Sequence, residues 1–521
     1  MEKLSKTIYR YRYLLYILAL IPMFLARDFT RNNELRYLSI ADEAIRNGNI
    51  FTFTNHGVHY ADKPPLYLWI VMAGKLIFGT HSMLFLALFS YIPALVVMWI
   101  MNRWSRSVTS PMERVAGELM LLTSVFFLGS AVVLRMDMLM CMFITLSLYT
   151  FYKIYTGKER RWDRWLFPVY IFLAIFSKGP VGIMVPLMTT IVFLLVKREW
   201  RLIGKFWGLR TIGTLLLLCA LWFGSAWAEG GNEYMNNLLF NQTINRAVDS
   251  FHHKEPFWYY MVAIWYSLAP WVFIILSVLF TGVFKRIIRT DMERIFLIAS
   301  LGTFVMMSLV SSKIQIYLLP SFPFFVWITV LWMGRFSRGA VVKTALIIPS
   351  AILLLSLPGV VAAGLMNLFP VFESIWIPAA ATVLSVAGFI ALRQVGSAPN
   401  RTIISIGTGV LLAVFTISFY IPRYNPHLGM GAVTSVASAM AKESGVEVFY
   451  VYDIPRAENA DVYLGKSPEE ISLDGLRKIV ESGGDGILIV KQSSLEEVPE
   501  LAALLEGRER RVSGYFFCIT L

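Results

Sequence analysis

The chain has 521 residues, 57% of them hydrophobic and only 16% charged, with a mean hydropathy of +0.61. So few charges cannot solvate the surface of a soluble globule of this length, and the composition describes an integral membrane protein. A net charge of +13 would also fit a nucleic-acid binder, but in a membrane chain basic residues are first read against topology, and three cysteines exclude a disulfide framework.

Lys3, Lys6, Arg10 and Arg12 precede an apolar run over about 13–26 that lacks a small-residue cleavage site. This predicts a retained first span and a cytoplasmic N-terminus. The first polar stretch, Arg31 to Trp69, comes next. In it Asn33 is a candidate helix N-cap, Leu35, Leu38, Ala41 and Ile45 recur at helical spacing, and Gly48 sits where a left-handed C-cap belongs. A short amphipathic helix over about 34–47 is therefore expected on the membrane surface. A β-prone run, Ile50 to Thr54, leads into Tyr60-Ala61-Asp62-Lys63-Pro64-Pro65, where a charged pair held against a stiff helix start is suited to an anion. The apolar run over about 65–78 is too short for about 30 Å of hydrocarbon and contains Lys75, so it reads as a second surface helix.

Full spans are then expected at about 82–102, 112–129, 132–152, 165–177, 179–196, 209–228, 257–281, 292–310, 314–334, 341–367, 373–392 and 401–421, which makes about thirteen with the first. Cys141 and Cys219 fall inside these runs and read as inert thiols. On this assignment every short basic loop, from Arg103/Arg106/Arg114 to Arg393/Arg401, lies on the side of the N-terminus. The other face collects Arg27 to Lys63, Arg135-Met136-Asp137, Ser177-Lys178-Gly179-Pro180, Glu229 to Pro256, Ser312-Lys313 and the chain after Tyr420. Taken singly, Arg135 fits a snorkelling side chain, Asp137 a helix cap and Lys178 a helix end. Taken together, ionisable groups among spans are costly and point to substrate handling.

The transmembrane domain is placed at 1–425 and a small α/β domain at 426–521. In the latter, Val446 to Tyr452, Gly486 to Val490 and Tyr515 to Leu521 read as strands, and Leu473 to Glu481 and Leu495 to Leu505 as helices. It carries no nucleotide loop or metal-ligand spacing, and a lid or partner-binding cap is its expected role.

One ordered set of motifs runs through the chain: Asn33-Glu34-Leu35-Arg36-Tyr37, Tyr60-Ala61-Asp62-Lys63-Pro64, Leu134-Arg135-Met136-Asp137, Ser177-Lys178-Gly179, His253-Lys254-Glu255-Pro256-Phe257-Trp258-Tyr259-Tyr260, Leu268-Ala269-Pro270-Trp271 and Ser312-Lys313-Ile314-Gln315-Ile316-Tyr317. The set resembles the lipid A aminoarabinose transferases, within the protein O-mannosyltransferase-like glycosyltransferases of GT-C fold. The resemblance implies an all-α polytopic membrane enzyme with a small C-terminal α/β periplasmic domain. It also implies transfer of a sugar from a polyprenyl-phosphate donor, undecaprenyl phosphate, to lipid A or a related glycolipid, with inversion, at the periplasmic face of the bacterial inner membrane.

By the same resemblance, Lys63 stands where the lysine of a Lys-Pro motif contacts the donor phosphate, with Arg246, Lys254 and Lys313 as further cations. Tyr60 and Tyr317 match tyrosines near the donor, where a phenol donates a hydrogen bond without adding charge; both also fit interfacial belt positions. Arg36, Tyr37, Arg135, Asp137, Lys178, His252 and His253 complete the candidates. Asp62 matches a glutamate implicated in metal contact in some members. Paired with His252 or His253 it forms a sparse two-ligand set for a divalent ion, and a salt bridge is the alternative.

The sequence departs from the resembling enzymes at one important place. They carry an aspartate followed by glutamate at the start of the first surface helix, and here the pair is Asn33-Glu34. An amide is no base, so Glu34 takes the role, Asp28 or Asp62 reaches in, or the acceptor is an anion that needs no deprotonation, as a phosphate with second pKa about 6 is near neutrality. Protein hydroxyls and surface glycans are alternative acceptors. From other classes, a lipid or solute transporter should show internal repeats, which are not apparent, and a silent scaffold should not need Lys63 or Glu34.

Overall fold

The structure, a computed structural model, describes residues 2–239, 254–336, 339–368 and 371–521. Among these, eight helices are long and apolar enough to cross a membrane: Met83–Ser105, Asp137–Tyr155, Leu209–Leu239, Asp291–Leu309, Gln315–Phe336, Ala340–Leu365, Trp376–Gln394 and Pro399–Leu428. All eight fall on expected spans. The remaining expected spans are helical too, but are charged at one end (α1, Glu2–Ala26), short (α8, Asp163–Lys178, and α9, Val181–Val196), or broken. The chain forms two compact units, one of residues 1–22, 61–67 and 87–418 and one of residues 23–60, 68–86 and 419–521.

In the first unit the spans expected as straight rods over 112–129 and 257–281 are both interrupted. Helices α5 (Pro111–Leu122) and α6 (Val125–Val132) meet at 69°, and the second span divides into Tyr259–Ser267 and Val272–Phe284. The side chains at the first break explain it. Thr123 and Ser124 turn their hydroxyls back onto the carbonyls of Leu119 and Met120 at 2.6 and 2.8 Å, which competes with the helix ladder. The two breaks then satisfy each other: the Val125 N–H donates to the Ala269 carbonyl at 2.9 Å, and the Trp271 indole donates to Thr123 Oγ1 at 2.9 Å. Irregular backbone at membrane depth is tolerated where protein supplies such partners.

The same unit buries Glu118 completely, on α5. Arg12 of α1 meets it with Nε at 2.6 Å and Nη2 at 3.0 Å, while the Tyr13 hydroxyl (2.8 Å) and Asn102 Nδ2 (2.6 Å) complete its acceptor capacity.

The second unit holds α2 (Glu34–Asn47), most of α3 (Leu66–Phe78) and the terminal sheet. Gly48 is the left-handed C-cap, at φ 72°, as expected, but the Asn33 side chain makes no cap bond. Nor is α2 a one-sided surface helix: Glu34, Tyr37, Ser39 and Ile40 are buried beside the expected apolar residues. Residues 457–464 pack on it, and Ser39 Oγ donates to Asp461 Oδ2 at 3.0 Å. The β-prone run forms only the hairpin Thr54–Asn55 with Val58–His59, turned by His56 and Gly57 at φ 53° and 78°. Positive φ at both central residues is the two-residue turn that matches strand twist.

Glu43 of α2 pins that turn, accepting from Thr54 Oγ1 (2.6 Å) and from the N–H groups of His56 (2.6 Å) and Gly57 (2.9 Å). Burial pushes its carboxyl up, but these hydrogen bonds outweigh burial and hold it below the usual carboxylate range.

In the terminal domain the strand order is Glu469–Glu470, Phe449–Tyr452, Ile487–Lys491, Phe516–Thr520, Arg510–Ser513, the first three parallel and the last two antiparallel. Three strands and helix Leu473–Glu481 lie where the alternation placed them. The expected helix over 495–505 is two short ones, Gln492–Glu497 and Pro499–Leu504, because Pro499 starts the second. Leu476, Leu488, Val490, Leu501 and Ile519 form the core.

Two outcomes test this description. Glu118→Leu leaves the Arg12 guanidinium buried without its anion and should destabilise the detergent-solubilised protein by about 3–5 kcal/mol in a reversible melt. Because Glu43 is depressed on folding, its stabilisation is full above the unfolded carboxylate value, about 4.3, and is lost as pH falls through the lower folded value. The protection of the His56 and Gly57 amides, relative to their intrinsic exchange at each pH, should fall over that acid window in wild type and be low at all pH values in Glu43→Gln.

Candidate functional site

Three chain segments of the first unit build one cavity of about 610 Å³. The stretch Ala61–Pro64 contributes Asp62 and Lys63; the α8–α9 turn contributes Lys178 and Gly179; and the segment after Leu309 contributes Ser311, Ser312 and Tyr317. Ile175, Val181, Met184, Trp222 and Phe223 make much of the remaining wall apolar. A charged floor under an apolar wall suits a molecule with an anionic head and a hydrocarbon tail.

Local chain geometry explains why Lys178 ends up there. Helix α8 stops at Gly179, whose φ of 107° an L side chain rarely adopts, and α9 doubles back so closely that a Cβ on Gly182 would collide with the Ala174 carbonyl. The Lys178 ammonium then lies against Asp137 Oδ1, and the Arg135 Nε lies 3.2 Å from Asp137 Oδ2. Asp137 is fully buried at the start of α7 (Asp137–Tyr155), so each of its oxygens faces a cation. Arg135 and Lys63 are the like charges that act on Lys178. Lys63 also donates to the carbonyl of Asp62 at 3.1 Å, and the Lys178 ammonium stands 5.0 Å over the Tyr317 ring. Three cations against two carboxylates leave this cluster positive, as an anion site should be.

Lys254 and Lys313 line a neighbouring cavity of about 460 Å³ that shares Leu309 and Ser311 with the first. Lys313 is buried there and donates to the Glu255 carbonyl at 2.8 Å. Arg246, His252 and His253 lie outside the described residues. So does one half of the Asp62–His253 pair, and among the described residues no group of three or more His, Cys, Asp or Glu is placed to hold a metal ion.

The second unit holds the other candidates. Arg36 lies over the rings of Tyr37 (5.7 Å) and Tyr60 (5.3 Å), and both tyrosines are buried. Asn33 flanks α2, and Glu34 is fully buried on its first turn. Arg27 holds the Glu34 carboxylate with a bidentate fork, Nη1 at 2.7 Å and Nη2 at 2.8 Å, and the Thr30 N–H donates to Oε2 at 2.7 Å. Asp28 is occupied as well, by the N–H groups of Phe29 (2.7 Å) and Gly431 (2.9 Å) and by the Tyr463 hydroxyl. Two of the carboxylates considered as replacements for the missing aspartate are thus each engaged by hydrogen bonds or an ion pair. Sequence reading missed Arg27 as the partner of Glu34, because the two are joined by a non-helical segment over which no periodicity relates their side chains. It also missed the apolar walls from Trp222 and Phe223, which nothing local distinguishes from ordinary span residues.

If the Glu34 pair is structural, Glu34→Gln should lower thermal stability by about 3 kcal/mol, because Arg27 stays buried without an anion. Arg27→Met/Glu34→Leu together should recover much of the loss in the same melt.

Compared with known proteins, the chain matches the dolichyl-phosphate-mannose-protein mannosyltransferase family over residues 62–223. It is 26% identical to a protein of Aquifex aeolicus over 354 residues, 66% of this chain and 68% of that one. It is 25% identical to the undecaprenyl phosphate-alpha-4-amino-4-deoxy-L-arabinose arabinosyl transferase of Edwardsiella ictaluri over 324 residues, 60% of this chain and 56% of that enzyme. The chain thus spans a little over half the length of that named relative. Among solved structures, the ArnT of Cupriavidus metallidurans bound to undecaprenyl phosphate superposes with a TM-score of 0.76 at 17% identity, covering 98% of this chain and 97% of that one. The chain therefore shares the fold of that ArnT structure over nearly its whole length, and its relatives in sequence include aminoarabinose transferases.

Proposed function

We propose that this multi-pass, GT-C-fold chain transfers a sugar from undecaprenyl phosphate to a phosphate of lipid A or a related glycolipid, at the periplasmic face of the bacterial inner membrane. The observation that carries the reading is the convergence of Asp62, Lys63, Lys178 and Tyr317 on one largely apolar-walled cavity. The short basic loops support an orientation with the N-terminus cytoplasmic and with the cavity and the domain at 426–521 periplasmic.

In the proposed reaction an acceptor oxygen attacks the anomeric carbon from the face opposite the lipid phosphate. The bond from that carbon to the phosphate oxygen breaks with inversion, and its electron pair leaves on the polyprenyl phosphate. Negative charge grows on the departing oxygen, so a preorganised cation there stabilises the transition state more than the ground state. Lys63 is assigned that contact. Lys178, paired with Asp137, is assigned to set the field at the cavity floor, and the Tyr317 phenol is assigned to donate to a phosphate oxygen. Lys254 and Lys313, in the neighbouring cavity, are assigned to contacts along the donor and acceptor.

For the base, Asn33 is an amide and cannot serve, and Asp62 is assigned the role because it is the one carboxylate among the described lining residues of the cavity. An acceptor phosphate is already an anion near neutral pH and needs orientation more than deprotonation, a role for which Asp62 suffices. Among the described residues Asp62 offers one carboxylate beside the ammonium groups of Lys63 and Lys178, a poor donor set for a divalent ion. A second acceptor class, a protein hydroxyl, is favoured by the family match over residues 62–223. It would need a true base, and the two readings separate on Asp62.

Donor consumption by purified protein with undecaprenyl-phosphate sugars and a membrane extract tests the proposal. Lys63→Ala should slow sugar transfer by about 10²–10³-fold. Asp62→Asn should cost less than tenfold with a glycolipid phosphate acceptor and more than about 10²-fold with a hydroxyl acceptor. Glu34→Gln, assayed below its melting temperature, should keep most activity. A wild type that consumes no donor across a broad sugar panel would sink the transferase reading.

A further inference from the structure

A larger cavity, about 1130 Å³, lies in the first unit where α4 (Met83–Ser105) and α7 end, away from the catalytic candidates. Helix α7 is 19 residues and so about 28 Å long, with Asp137 at its first turn and Tyr149, Tyr152 and Lys153 on this cavity near its last. Five cations line it, Arg103, Arg106, Lys153, Lys158 and Arg160, against one carboxylate, Asp163. That carboxylate is spent: both its oxygens lie 2.7 Å from Lys153 Nζ, and one also accepts the Arg160 N–H at 2.7 Å. Arg103, Arg106, Lys158 and Arg160 are exposed and have no carboxylate within ion-pair distance among the described residues.

Topology alone accounts for basic residues in these loops, but not for their convergence on one aromatic and apolar enclosure. Trp99, Trp104, Tyr149, Trp162, Leu146 and Leu166 share its walls, and the Arg103 guanidinium stacks 5.6 Å over Trp99. Like charges gathered in such a space repel unless an anion joins them. A guanidinium fork matches the two non-bridging oxygens of a phosphate, and the apolar walls at the ends of two spans suit the glycerol and first methylenes of a lipid.

We infer that this cavity binds the headgroup of an anionic glycerophospholipid. The site is separate from glycosyl transfer and does not depend on the proposed reaction. A soluble phosphate would use the same cations but gain nothing from the walls.

The test uses the full chain, delipidated in neutral detergent and titrated by native mass spectrometry with phosphatidylglycerol, phosphatidylethanolamine and pyrophosphate. Wild type should bind phosphatidylglycerol at least tenfold more tightly than phosphatidylethanolamine. Arg106→Gln/Arg160→Gln should weaken that binding on the order of 25-fold, about fivefold for each cation removed. Arg106→Lys/Arg160→Lys, which keeps the charge and guards against a folding defect, should stay within about fivefold of wild type. Equal binding of the two lipids, or no loss in the glutamine pair, would overturn the site. Displacement of phosphatidylglycerol by pyrophosphate at equal concentration would overturn the lipid assignment in favour of a soluble phosphate.

Discussion

A charge inside an apolar matrix has to be met by another charge or by hydrogen bonds, and the way each buried carboxylate is met sorts this protein into scaffold and site. Glu118 has Arg12, two tyrosines and an asparagine; Glu293 has Arg335 and the Arg289 N–H; Glu34 has Arg27 and the Thr30 N–H. In each case one full cation and one or more neutral donors face one carboxylate. Such groups are closed, and breaking one leaves an uncompensated ion, which is why their value is to fix which helices pair.

The cluster at Asp137 is built differently. It has two cations, Arg135 and Lys178, for one buried acid, and Lys63 adds a third positive charge on the same cavity. Even with Asp62 counted the cluster carries a net positive charge, which suits an anion and is the feature on which the proposed phosphate contact rests. The excess would be unfavourable in a solvent-free core, so the cavity and the charge imbalance belong together: one gives the ligand room, the other a reason to enter. Glu118, by contrast, ties α5 to the first helix through Arg12 and takes no part in the Asp137 cluster.

The sequence made the helices legible because apolar runs of span length leave few alternatives, and the strands of the terminal domain because buried apolar runs between turn residues read clearly. Lys63, Asp62, Lys178 and Tyr317 were legible as candidates because polar residues at span ends stand out in an apolar chain. What could not be read was partnership. Whether Glu34 is a base or a strut depends on Arg27, and both are ionisable residues at a membrane boundary with no local mark to separate them. The bend at Thr123-Ser124 was hidden for a related reason: two hydroxyl residues in an apolar run are compatible with a straight helix until the Ala269 carbonyl and the Trp271 indole are brought to them. The second face of α2 was concealed in the same way, since Ser39 looks solvent-facing until Asp461 is supplied from more than four hundred residues later.

The departure at Asn33 gains its meaning from these partnerships. If the carboxylate had merely moved one position along α2, the neighbouring acid would have to be available, and a helix rotates successive residues by about 100°. Glu34 instead points into a fork from Arg27, whose bidentate geometry is the strongest pairing available to a carboxylate. A protein that needed strong proton abstraction would not retain an amide at one position and lock the acid at the next. Chemistry that tolerates both requires little from a base, and an acceptor that arrives already ionised meets that condition. The same reasoning makes the positive excess around Lys63 more valuable: with an anionic acceptor, the site must hold two phosphates near one another, and only spare cations can offset their repulsion.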